Sequence, residues 1–116
     1  MGLDNYAARS EDEPLSEEES QSFAHITCLV KGMMAGSYHC LRGKCYYGII
    51  EQLTGVDIYT DYLDSDEVDI LYERLRLVPL EEVLTIDPDF TPTEWDNLVE
   101  YFRVIAVNGW GLVGWY

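Results

Sequence analysis

The chain has 116 residues, the size of one domain, and its 22 Asp and Glu against 7 Lys and Arg give a formal charge of -15. With 47% hydrophobic and 13% aromatic residues it holds too much apolar surface for a disordered acidic tail, and it is expected to fold. The charge repels phosphate backbones and excludes direct nucleic-acid binding, no apolar run approaches the roughly 20 residues that span a bilayer, and the N-terminus lacks a signal-peptide pattern, so a cytoplasmic protein without membrane contact is expected.

Residues 1–22 hold Glu11, Asp12, Glu13, Glu17, Glu18 and Glu19 among serines and Pro14, with little to bury. Composition therefore predicts an exposed acidic arm, with one helical turn near Ser16, ahead of a single α+β domain over 23–116. Phe23 to Val30 alternates Ile26, Cys28 and Val30 with His25, Thr27 and Leu29, the pattern of a half-buried strand. Gly32 to Tyr38 then reads as a loop on its two glycines.

A helix is predicted from Gly43, with Tyr46, Tyr47, Ile49, Ile50 and Leu53 on its buried face and Gly55 as a left-handed cap. Val56, Ile58, Tyr59 and Tyr62 follow in extended or turn conformation. A second helix starts at Asp64, where Glu67 completes a capping box ahead of the stripe Val68, Leu71, Tyr72 and Leu75. Leu80 to Leu84 admits either helix or strand. The last helix has Thr91 as N-cap, Pro92 in its first turn, Glu94 as box partner, and Trp95, Leu98, Val99, Phe102, Ile105 and Ala106 as its core stripe, ending at Asn108-Gly109. Trp110 to Tyr116 is expected to pair with the strand at 23–30, with Trp110, Trp115 and Tyr116 facing the core, a self-association edge being the alternative. The expected architecture is a small antiparallel sheet packed against about three helices.

Both histidines and all three cysteines fall between positions 25 and 45. His25, Cys28, Cys40 and Cys45 are soft donors of the type tetrahedral zinc takes, although a strand at 23–30 would turn His25 and Cys28 to opposite faces. Cys45 beside Lys44 is also a candidate nucleophile, with His39 as its base. An odd cysteine count without an export signal favours reduced thiols. Lys31, Arg42 and Lys44 gather three of the seven cations in fourteen positions and form a candidate anion site. The spacing from Gly36 to Gly43-Lys44 and the Cys45 that follows do not match a phosphate-binding loop.

The largest numerical feature is acidic: 14 carboxylates against Arg74 and Arg76 between Asp57 and Glu100. Asp64, Asp66, Glu67, Asp69 and Glu73 lie off the apolar stripe of the second helix, with a mean rise of roughly 3.4 Å between successive charges, and Asp96 and Glu100 continue the acidic surface on the last helix. That rise is close to the phosphate spacing of one nucleic-acid strand. The expected function is a non-enzymatic interaction protein that binds a basic partner, such as a phage-type inhibitor or nucleic-acid mimic occupying the groove of a nucleic-acid-binding enzyme. A small zinc-binding or cysteine-dependent domain is one alternative. The other is a housekeeping domain of a salt-adapted cell, suggested by two lysines against five arginines.

Met1-Gly2-Leu3-Asp4-Asn5-Tyr6, with Arg42-Gly43-Lys44-x-Tyr46 leading into Ile50-Glu51-Gln52-Leu53-Thr54-Gly55, resembles a set of small uncharacterised prokaryotic and phage proteins. The resemblance implies that the opening residues and the Arg-Gly-Lys turn are structured, and it carries no activity.

Overall fold

A computed structural model of the chain describes residues 3–32 and 38–116. The sheet is organised around β1 (Asp4–Ser10). One edge of β1 pairs antiparallel with β5 (Gly111–Trp115), which in turn pairs with β4 (Tyr62–Leu63). Its other edge takes β3 (Cys40–Leu41) beside Asn5 and Tyr6, and β2 (Glu13–Pro14) beside Ala8 and Ser10. Among the described residues these five strands form one sheet and five α-helices cover it, an α+β arrangement. Ala7, Leu112 and Leu63 lie abreast in register and join the core, whereas Tyr6, Val113 and Tyr62 form the row on the opposite face, as the pleat requires.

The exposed arm expected over 1–22 is corrected at its start. Leu3, Ala7 and Ala8 are buried, as are Asp4 and Asn5, so the opening segment is the central strand, with Tyr6 half-buried and Arg9 and Ser10 exposed. The acids that dominated the composition belong instead to the β1–β2 turn, the start of β2 and α1 (Glu17–Ser20), where Ser16 and Glu19 cap each other reciprocally.

The strand expected at 23–30 does not form. Phe23 closes a 3-10 turn (Gln21–Phe23), and the chain then buries Phe23, Ile26 and Leu29 while exposing Cys28 and Val30. Burial recurs every third residue, the repeat of a tight turn and not of a pleat. β5 accordingly pairs with β1, and Trp115 and Tyr116 stand about half exposed; of the three terminal aromatics only Trp110 is in the core. The loop expected at Gly32–Tyr38 falls largely on residues 33–37, outside the described residues.

The three predicted helices are present. A 3-10 turn (Gly43–Cys45) leads into α2 (Tyr47–Thr54), which ends at Gly55 with φ of 76°. Tyr46 is buried there, but Tyr47 is not. In α3 (Ser65–Leu75), Asp64 and Glu67 form the reciprocal box and Val68, Leu71 and Leu75 are buried. In α5 (Pro92–Val107), Thr91 accepts the Glu94 N–H, but the Glu94 carboxylate accepts the Tyr46 hydroxyl in place of reaching back to Thr91. The undecided Leu80 to Leu84 is helical, within α4 (Leu80–Ile86), which follows Pro79 and carries Glu81 and Glu82 at its positive end. No helix of the described residues is long and apolar enough to cross a membrane.

Candidate functional site

The histidine and cysteine cluster does not assemble as the zinc expectation requires. His25 Nε2 lies 2.7 Å from Glu100 Oε2, Cys40 is buried in β3, and Cys28 and Cys45 are exposed free thiols. Among the described residues no three His, Cys, Asp or Glu side chains are grouped to hold a metal. His39 shares a 2.7 Å hydrogen bond with the Ser20 hydroxyl through Nδ1, and Cys45 is an exposed free thiol with no hydrogen bond to His39. Burial, then the nearby Lys31 charge, push the His39 imidazole below its ordinary pKa and so favour its neutral form.

The three cations of the candidate anion site are dispersed in role. Lys31 donates to the Tyr38 carbonyl at 3.2 Å and is lowered in pKa by burial, Arg42 Nε lies 3.7 Å from the buried Asp4 carboxylate, and Lys44 is exposed. Arg42 and its neighbours instead serve a junction with the opening strand. The Lys44 N–H donates to the Leu3 carbonyl at 2.9 Å, and Gly43 sits so closely on the Asn5 carboxamide that no side chain fits there.

Of the acidic residues singled out from sequence, Glu73 and Glu100 are held by the molecule's own cations. Arg76 donates twice to Glu73, and Arg103 binds both oxygens of Glu100 at 2.6 and 2.7 Å. These contacts, with His25, hold the Glu100 carboxyl down at about 2. Asp64 and Glu67 are engaged in the α3 cap, and Asp66, Asp69 and Asp96 are exposed. Burial first, then the charges of Asp64, Glu11 and Glu67, raise the Tyr62 hydroxyl above its ordinary pKa.

Beside α3 lies a cleft of about 500 Å³, walled by Glu67, Ile70 and Arg74 from one stripe of the helix and by Asp57, Tyr59 and Thr60 from the 55–61 segment. Four bonds fix that segment. Arg74 donates to the Thr54 carbonyl at 2.6 Å, a cation on the negative end of α2, and Asn5 Nδ2 donates to the Ile58 carbonyl at 3.1 Å. The Gly114 N–H donates to the Asp61 carbonyl at 2.9 Å, and the Tyr59 N–H donates to Asp57 Oδ1 at 2.8 Å. Gly114 has no room for a Cβ because the Thr60 carbonyl packs directly on it.

The crossing places Tyr59 between Tyr47 of α2 and Tyr116, with ring centroids 5.3 and 4.8 Å away. Sequence reasoning missed this row because it assigned Tyr47 and Tyr116 to the core. Compared with family models, curated proteins and solved structures, the chain matches none.

Proposed function

We propose that the chain is a non-enzymatic interaction protein whose α3 face and adjoining cleft dock a basic segment of a partner protein. The observation that carries this reading is where the arginines go. Arg9 pairs with Glu13 and Glu19, Arg42 with Asp4, Arg76 with Glu73 and Arg103 with Glu100, while Arg74 is bonded to a backbone carbonyl. Among the described residues no ion pair involves a carboxylate between Asp57 and Asp69, where six acids fall within 13 positions. A single exposed pair contributes little in water, but a partner cation that meets several carboxylates at once gains from each, and the summed field speeds its approach.

The uncompensated stretch of α3, from Asp64 to Asp69, is only about 7.5 Å long. That length fits a basic loop or peptide better than a long groove shaped for a nucleic-acid strand. Neutralising the face with Asp66→Asn and Asp69→Asn, which touch neither the cap nor an ion pair, is expected to weaken binding of an octalysine peptide and to flatten its salt dependence. Glu81→Gln with Glu82→Gln on α4 removes the same charge elsewhere. Equal losses from the two double variants would make the attraction a property of net charge and refute a docking face on α3.

A further inference from the structure

Tyr47, Tyr59 and Tyr116 come from three separate parts of the chain and form a row in which Tyr59 touches both others, 36%, 38% and 48% exposed. Their rings meet edge-on (75°) and tilted (43°), and all three residues remain partly exposed to solvent. The row is bordered by carboxylates that also orient it: the Tyr116 hydroxyl donates to Asp61 Oδ1 at 2.7 Å, and the Tyr59 backbone is held by Asp57. Tyr59 is also part of the cleft wall opposite Glu67 and Ile70, which makes the row and the α3 cleft one continuous surface.

We infer that this tyrosine row is a guanidinium platform, which takes an arginine side chain of the basic segment docked on α3. The inference rests on the docking reading above and names the residue chemistry that reading leaves open. The open faces of aromatic rings carry negative quadrupole charge, and Asp57 and Asp61 add full charges beside them, so the occupant is a cation. Arginine is favoured over lysine because a planar, weakly hydrated guanidinium stacks on a ring at small desolvation cost, whereas an ammonium holds its water. An uncharged apolar occupant would leave both carboxylates without a counter-charge.

The test compares octa-arginine with octalysine, which have the same charge and length, by titration calorimetry against the full chain. The wild type is expected to prefer octa-arginine by about five-fold, the scale of one or two exposed cation–π contacts. Tyr59→Leu with Tyr116→Leu is expected to bring the ratio near one, while Tyr116→Phe, which keeps the ring and loses only the bond to Asp61, retains the preference. If the double variant fails to fold, Tyr116→Leu alone must still reduce the ratio.

An arginine preference that is absent in the wild type, or that survives loss of the rings, overturns the inference. Asp66→Asn with Asp69→Asn is expected to weaken both peptides equally at an unchanged ratio. Failure of that variant alone refutes the α3 reading, so the two failures are distinguishable.

Discussion

The Tyr46 hydroxyl donates to Glu94 Oε2 at 2.9 Å and accepts the Val30 N–H at 3.0 Å, so one buried phenol ties the start of α2 to the first turn of α5 and to the end of the 23–30 segment. Burial is the main cause that drives its pKa far above the ordinary tyrosine value, which favours the neutral, donating form. Tyr46→Phe removes both bonds and leaves the Val30 N–H without its acceptor. Because one bond is to a carboxylate, the expected loss of unfolding free energy is about 2 kcal/mol. Glu94→Gln, which keeps an acceptor, should cost less. Urea denaturation of both variants checks the order; a neutral Tyr46→Phe would show that water replaces the hydroxyl at no cost.

Gly43 and Gly48 lie five positions apart and should answer oppositely to alanine. A Cβ at Gly43 would collide with the Asn5 carboxamide and with Leu3, at the junction where the Arg42–Lys44 turn meets β1. Asn5 cannot retreat without releasing Ile58, so Gly43→Ala is expected to cost more than 2 kcal/mol. At Gly48, inside α2, nothing stands within 4 Å of a built Cβ, and Gly48→Ala should stabilise by about 0.5–1 kcal/mol through helix propensity. Thermal melts of the two variants decide the matter. A destabilised Gly48→Ala would contradict this account of α2.

The elements legible in the sequence are those specified by neighbours along the chain. Asp64 with Glu67, Thr91 with Pro92, and Gly55 fix helix ends through contacts within one turn, and each is where the residues predicted it. β1 was illegible because its stability comes from distant partners. Asp4 and Asn5 are polar yet buried, and Asn5 is held by the carbonyls of Ile58 and Val113, so the segment does not read as an apolar alternation.

Phe23, Ile26 and Leu29 did carry a signal, a spacing of three, but the overlapping alternation of Ile26, Cys28 and Val30 looked more like a strand. The acidic face was legible in number and not in engagement. Which carboxylates Arg76, Arg103 and His25 engage depends partly on a contact 75 residues apart, His25 to Glu100, that no local rule supplies.

Asp64 has two separable roles, cap of α3 and charge on the docking face. Its side chain accepts the Glu67 N–H at 2.9 Å, and Glu67 Oε1 accepts the Asp64 N–H at 3.4 Å. Asp64→Ala should therefore cost about 1 kcal/mol of stability, and Asp64→Asn, which keeps an N-cap oxygen, only a few tenths. Both remove the charge, so both should weaken octalysine binding alike. Measuring stability and affinity on the same pair separates the roles. Binding that follows stability rather than charge would show that α3 is needed folded and that its carboxylates are not.

Glu100 makes one contribution to stability depend on acid pH. Its carboxylate is gripped by Arg103 through two short bonds and contacted by His25, and these hold its pKa at about 2, against an ordinary value of 4.5. Since the folded-state value is the lower one, the folded chain favours the ionised form. The associated stability is fully present above pH 4.5 and disappears as the pH falls through about 2. Glu100→Gln cannot ionise, so it lacks this contribution at every pH.

The gap between wild type and Glu100→Gln in urea midpoint should thus be largest near neutrality, begin to close below pH 4.5 and vanish near pH 2. Solvent screening at this partly exposed site limits the full gap to about 1 kcal/mol. The opposing trend, relief of repulsion as the other exposed carboxylates are protonated, acts on both proteins and cancels in the difference. Arg103→Met should reproduce the same closing gap, because it removes the partner rather than the acid. A difference that stays constant from neutrality to pH 2 would mean that the Glu100–Arg103–His25 contact adds nothing to stability in solution.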